Sequence, residues 1–157
     1  MLVLLIGCAD SEAASTRRHV TTGAGLEIYD AYAPAPAAPD VGSLYFTVLN
    51  TASAPDTLVA IETSVGARAT LHNMVEEGGL MRMRPTGPMP IAPHDSLRLA
   101  PGGYHVMLSD LTSQPQVGDT IQVVLTFSRA GRIGFLVPVL VYSEVVRLLG
   151  SMGSTGN

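Results

Sequence analysis

The sequence predicts a single all-β domain, a sandwich or Greek-key barrel, and three observations carry that expectation. Glycine (16) and proline (11) are abundant while aromatic residues make up only 5% of the 157, a composition that suits short strands and many turns. Alternating segments recur at about 8–12-residue spacing and give about eight or nine candidate strands. Near the end, TIQVVLTFSRAG and RIGFLVPVLVY look like a closing antiparallel pair, with Ile121, Val123, Leu125 and Phe127 on one face of the first and Ile133, Phe135, Val137 and Val139 on one face of the second.

Taken in order, LEIYDAYA (26–33) alternates enough to be a first strand, and the three prolines of PAPAAPDVG break it. SLYFTVLN (43–50) sets Leu44, Phe46 and Val48 against Tyr45, Thr47 and Leu49, so both of its faces are covered. TLVAIETSV and ARATLHNMV follow around Gly66, and EEGG turns tightly into LMRMRP, a pattern that reads as a meander. TGPMPIAPHD reads as a proline-rich loop, SLRLAPGG as a short strand running into a turn, and YHVMLSDL as a strand again. SEVVRLLGSMGSTGN reads as one helical turn before a Gly/Ser tail. The expected organisation is a targeting segment over 1–8, a flexible tether over 9–22, the β domain over 23–142 and a tail over 143–157.

A net charge of −4 without a dense Lys/Arg run argues against nucleic acid or an anionic membrane surface as partner. Cys8 is the single cysteine, so neither a disulfide framework nor a cysteine-based zinc or blue-copper centre can be built within one chain. Leu5-Ile6-Gly7-Cys8 resembles the bacterial lipobox, whose cysteine is lipidated. The apolar run before it is about six residues, shorter than a secretory signal needs and too short to span a bilayer. As a targeting element it puts the folded domain outside the cytoplasm, with Cys8 as the lipidation site.

Between residues 72 and 107 lie five of the seven methionines and three of the four histidines. In YHVML, alternation assigns Tyr104, Val106 and Leu108 to the core and His105 and Met107 to the opposite side. The same rule groups His72 with Met74 in TLHNMV, and Met81 with Met83 in LMRMRP. Any one of these residues alone is ordinary, since methionine usually fills cores. Two imidazoles and two thioethers together make a soft, uncharged set that suits Cu(I), whereas zinc favours thiolate or carboxylate, and magnesium and calcium favour oxygen.

LHNMVEEGGLMRMRPTGPMPIAPHDSLRLAPGGYHVMLSDL resembles the periplasmic copper chaperones of the PCuAC type. Their motif is His, ten residues, Met, twenty-one residues, His, one residue, Met, and His72, Met83, His105 and Met107 stand at those intervals. MRMRP and PGGYHVML are family phrases, and a weaker likeness extends over residues 27 to 139. The resemblance implies a cupredoxin-like fold and a solvent-accessible Cu(I) site. It also implies delivery of copper to the CuA centre of cytochrome c oxidase, often beside a Sco-type thiol protein. DAYA stands where the family commonly has a Trp, and the tail lacks the His/Met-rich extension some members carry. Met74, Met81, Met89 and His94 fall outside the motif; Met81 reads as filler or as packing over the metal, and His94 and His19 as solvated.

Other classes stay open on the residues alone: an electron carrier, which the missing cysteine disfavours, a metal-free extracytoplasmic binding module, and a copper storage or tolerance protein. No nucleophile–base pair or carboxylate dyad emerges, so an enzyme is not expected.

Overall fold

A computed structural model describes residues 17–150. Cys8, and with it the lipobox reading, lies outside the described residues. Eleven strands and one helix follow in the order β1 (His19–Gly23), β2 (Leu26–Pro34), β3 (Val41–Asn50), β4 (Asp56–Thr63), β5 (Gly66–Glu77), β6 (Leu80–Pro85), β7 (Met89–Ile91), β8 (Ser96–Arg98), β9 (His105–Leu111), β10 (Thr120–Phe127), β11 (Gly131–Leu140) and α1 (Tyr142–Gly150). The all-β expectation holds.

The strands hydrogen-bond in the order β6-β5-β9-β3-β2-β11-β10-β4-β7, with β1 on β2 and β8 on β3. The join between the halves is a short parallel contact, Val139 beside Ala33 and Leu140 beside Pro34. Both halves turn one face to a shared core: Leu44, Phe46 and Val48 of β3 and Val106 and Leu108 of β9 meet the inward residues of β4, β10 and β11. Phe46 and Phe135 touch edge to face across it, 6.3 Å between ring centroids. The expected closing pair is present, β10 and β11 being in register from Thr120↔Pro138 to Phe127↔Gly131.

Four local expectations are corrected. The meander breaks between β4 and β5, because β4 pairs with β10 and β7 while β5 pairs with β6 and β9. The proline-rich loop contains β7, a three-residue strand on β4. The tether expected over 9–22 gives way at His19, where β1 pairs antiparallel with β2. The single helical turn expected in the tail is instead a nine-residue helix, α1, whose Val145 and Leu149, one turn apart, bury against Tyr32 and Tyr45. That helix covers the second face of β3 at Tyr45. At its end the Arg98 guanidinium donates to the Leu149 carbonyl, a cation where the helix carries its negative pole.

Strand β2 changes phase midway. Leu26 and Ile28 face the core, then Ala31 and Ala33 do, and Tyr32 turns out to the helix. The slip occurs at Asp30, which has a left-handed φ of 54° beside a register shift between Tyr29 and Tyr32. The Asp30 carboxylate accepts the Arg18 backbone N–H at 2.7 Å, and its burial raises its pKa despite that bond.

Candidate metal centre

The three strands at one end of the sheet, β6, β5 and β9, bring the sequence-predicted residues onto one face. His72 and His105 are direct cross-strand partners, with ring centroids 5.9 Å apart. Met107 stands two residues beyond His105 and faces Thr70 on one side and Ser43 on the other. Met83 is opposite Met74, with Pro85 opposite His72. The period of two in each strand makes this possible, since Leu71, Val106 and Leu108 fill the core while the alternate positions face away. Met83 and Met107 occupy opposite ends of a diagonal across β5, yet both line one cavity of about 540 Å³ together with His105. Sheet twist and the length of the methionine side chain make that convergence possible.

Burial is graded across the set. His105 is only 8% exposed, Met107 and His72 are half-buried, and Met83 is 50% exposed. A soft ion held here would have imidazole beneath it and a thioether reachable from solvent.

The imidazoles are prepared differently. His105 Nδ1 lies 3.0 Å from the Gly103 carbonyl, which can only accept, so the tautomer of the neutral ring that this contact favours has its proton on Nδ1 and its lone pair on Nε2. The tight turn after Ala100 aims that carbonyl: Gly102 has a φ of 85°, and the Gly103 N–H donates to the Ala100 carbonyl. His72 Nδ1 is buried and has no hydrogen-bond partner among the described residues. Burial, and then the neighbouring His105, lower the His72 pKa below 6.5, which favours the neutral ring that metals bind. A buried nitrogen left without a partner is costly, and a bond to an ion through that nitrogen would remove the cost. Among the described residues no group of three or more His, Cys, Asp and Glu gathers, and the side chains brought together here are imidazoles and thioethers.

Two features escape sequence reasoning. The cavity wall opposite the ligand strands comes from residues 34–38, Tyr45 and Tyr142, an apolar rim supplied by a proline-rich connection and the start of α1. The Gly103 carbonyl leaves no sequence signal beyond the glycine pair that shapes the turn.

The remaining candidates fall elsewhere. Met81 is 58% exposed on the face of Met83. Arg82 and Arg84 share the opposite face of β6, where both reach Glu77, Arg84 at 2.6 Å and Arg82 at 3.6 Å. Met89 lies in β7 and packs at the core's edge. His94 is exposed in a loop, and exposed His19 bonds Thr22 at 2.8 Å.

Comparison with known proteins matches this arrangement to a family. The family model described as "Putative lipoprotein LpqE-like" covers residues 26–139. The "Putative lipoprotein Lxx21020" of Leifsonia xyli subsp. xyli is 30% identical over 144 residues, 91% of this chain and 86% of that one. Among solved structures, the copper-bound PCuAC domain from PmoF2 matches with a TM-score of 0.67 at 23% identity, over 78% of this chain and 98% of that one. The apo PCuAC domain from PmoF1 gives 0.66 at 26%, over 78% and 99%. The Cu(I) form of DR1885 from Deinococcus radiodurans gives 0.60 at 22%, over 78% and 81%. The fold is therefore the cupredoxin-like β fold of PCuAC domains, as the sequence resemblance implies.

Proposed function

Because the chain belongs to the LpqE-like lipoprotein family and has the fold of PCuAC domains, we propose that it is an extracytoplasmic copper chaperone binding Cu(I) through His72, Met83, His105 and Met107. The observation that carries the reading is the direct His72–His105 pairing beside a cavity lined by Met83, His105 and Met107. Copper is cargo here, so the site has to hold it and also release it. Neutral thioethers and imidazoles hold Cu(I) without proton release from a thiol, and the half-exposed Met83 gives an incoming ligand a place to attack. Transfer is then stepwise ligand exchange with no change in oxidation state and no catalytic step.

The destination we propose is the CuA centre of cytochrome c oxidase, with a Sco-type thiol protein as co-worker, by likeness to the PCuAC chaperones. The lipoprotein names of the relatives support a place outside the cytoplasm, with Cys8 as lipid anchor. No helix among the described residues is long and apolar enough to cross a membrane.

A competition titration against a chromophoric Cu(I) chelator tests the ligand set. His105→Ala and Met83→Ala should each weaken binding by at least about tenfold, or 1.4 kcal/mol. Unchanged affinity in both would remove the assignment. Anaerobic mixing of the loaded protein with an apo CuA domain, with and without the thiol protein, tests the destination; copper staying where it was would refute it.

A further inference from the structure

The β5–β6 hairpin carries thioethers that the four-ligand site does not use. Met74 faces Met83 directly across the two strands, and Met81 stands two residues along from Met83 on the same face, opposite Glu76. Opposed side chains start about 5 Å apart at Cβ, and the step from Met83 to Met81 along the strand is about 7 Å. Three rotatable bonds per methionine let all three sulfurs reach one ion. Methionine in a strand normally fills a core, but Met81 and Met83 are 58% and 50% exposed, so burial does not account for them.

The hairpin is also built to hold its shape while projecting from the sheet. Its turn residues Gly78 and Gly79 both have positive φ, 61° and 79°, the backbone a two-residue hairpin turn of the primed type requires. On the other face, Glu77 takes the Arg84 guanidinium through two bonds, 2.9 and 2.6 Å, with Arg82 beside it. The charged clasp occupies one face and leaves the other to sulfur.

We propose that Met74, Met81 and Met83 form a second, all-thioether Cu(I) station, joined to the imidazole site through the shared Met83. This rests on the copper reading above and extends it with a route. An ion leaving the buried site exchanges its bonds to imidazole nitrogen for bonds to Met74 and Met81 sulfur while Met83 stays attached. It remains Cu(I), and no proton moves, because donors on both sides are neutral. Glu76, on the same face, supplies a negative charge beside the station. Three thioethers without imidazole hold the ion more loosely, as a handover point to a soft-ligand acceptor needs.

The test uses the full chain, 13C-labelled at the methionine methyls and titrated anaerobically with Cu(I) to two equivalents, together with a Met74→Leu/Met81→Leu double variant that keeps side-chain volume. The methyls of Met83 and Met107 should shift with the first equivalent, and those of Met74 and Met81 should shift as well. The double variant should keep the tight affinity yet pass Cu(I) to bathocuproine disulfonate about tenfold more slowly. Stationary Met74 and Met81 methyls, or transfer at the wild-type rate, would overturn the station while leaving the four-ligand site intact. Stationary methyls at all four residues would overturn the copper reading as well.

Discussion

The β4–β10–β11 side of the molecule and the β9–β5–β6 side use the same period of two for different ends. On the first, alternate residues fill the core and the other face is ordinary surface, where Arg132 on β11 and Glu62 on β4 form a two-bonded ion pair at 2.8 and 2.9 Å across β10. On the second, Leu71, Val106 and Leu108 fill the core, and the alternate positions carry histidine and methionine. The difference teaches that cohesion and chemistry occupy separate faces here, so they are separable by mutation.

The largest effect should come from the cohesive side. Leu125→Ala deletes a fully buried side chain and should cost about 2–5 kcal/mol in denaturant unfolding. Its copper affinity while folded should stay at the wild-type value, and a parallel loss of both would break the separation.

Asp56 gives the next effect. Burial would raise its pKa, but backbone N–H groups of Arg129, Ala130 and Thr57 and the Ser128 hydroxyl outweigh it and hold the pKa below 3.8. Asp56→Asn should cost about 1.5–3 kcal/mol near neutral pH. A pKa lowered by folding stabilises above the unfolded value, about 3.9, and that contribution fades as pH falls through the folded one. The gap between wild type and variant should therefore narrow below about pH 4; a gap independent of pH would mean that the carboxylate charge plays no part.

On the chemical side, acid should weaken Cu(I) binding through imidazole and not through sulfur, since thioethers do not titrate. Burial and His105 lower the His72 pKa, so its protonation competes with copper only below 6.5. Affinity measured from pH 7.5 to 5 should hold at first and then fall, and a fall complete above pH 6.5 would contradict the assignment. The smallest effect is on stability: Met83→Leu, half-exposed in β6, should change the unfolding free energy by no more than about 0.5 kcal/mol. A larger cost would make Met83 a packing residue.

Much of the site was legible before the fold. His105 and Met107 had to share a face once Tyr104, Val106 and Leu108 were given to the core, and the spacing to Met83 and His72 matched a known motif. Which strands lie side by side was less legible. The nearness of TLVAIETSV to ARATLHNMV suggests a hairpin, yet β4 finds its partners in β10 and β7, because a strand's neighbour is chosen by the packing of the whole core. The phase slip at Asp30 was hidden for a similar reason, since a bulge inserts one residue without changing local composition.

What the sequence determined by itself was what a short repeat or a fixed interval encodes: the β class, the core and outer faces of β9, β10 and β11, and the spacing of the four candidate soft donors. Alternation and spacing are local properties, written along the chain. The tertiary structure alone decided that β6, β5 and β9 are neighbours, that residues 34–38 and Tyr142 wall the cavity, and that the Gly103 carbonyl stands 3.0 Å from His105 Nδ1. Those depend on contacts between distant segments, whose energy is set only when the core closes.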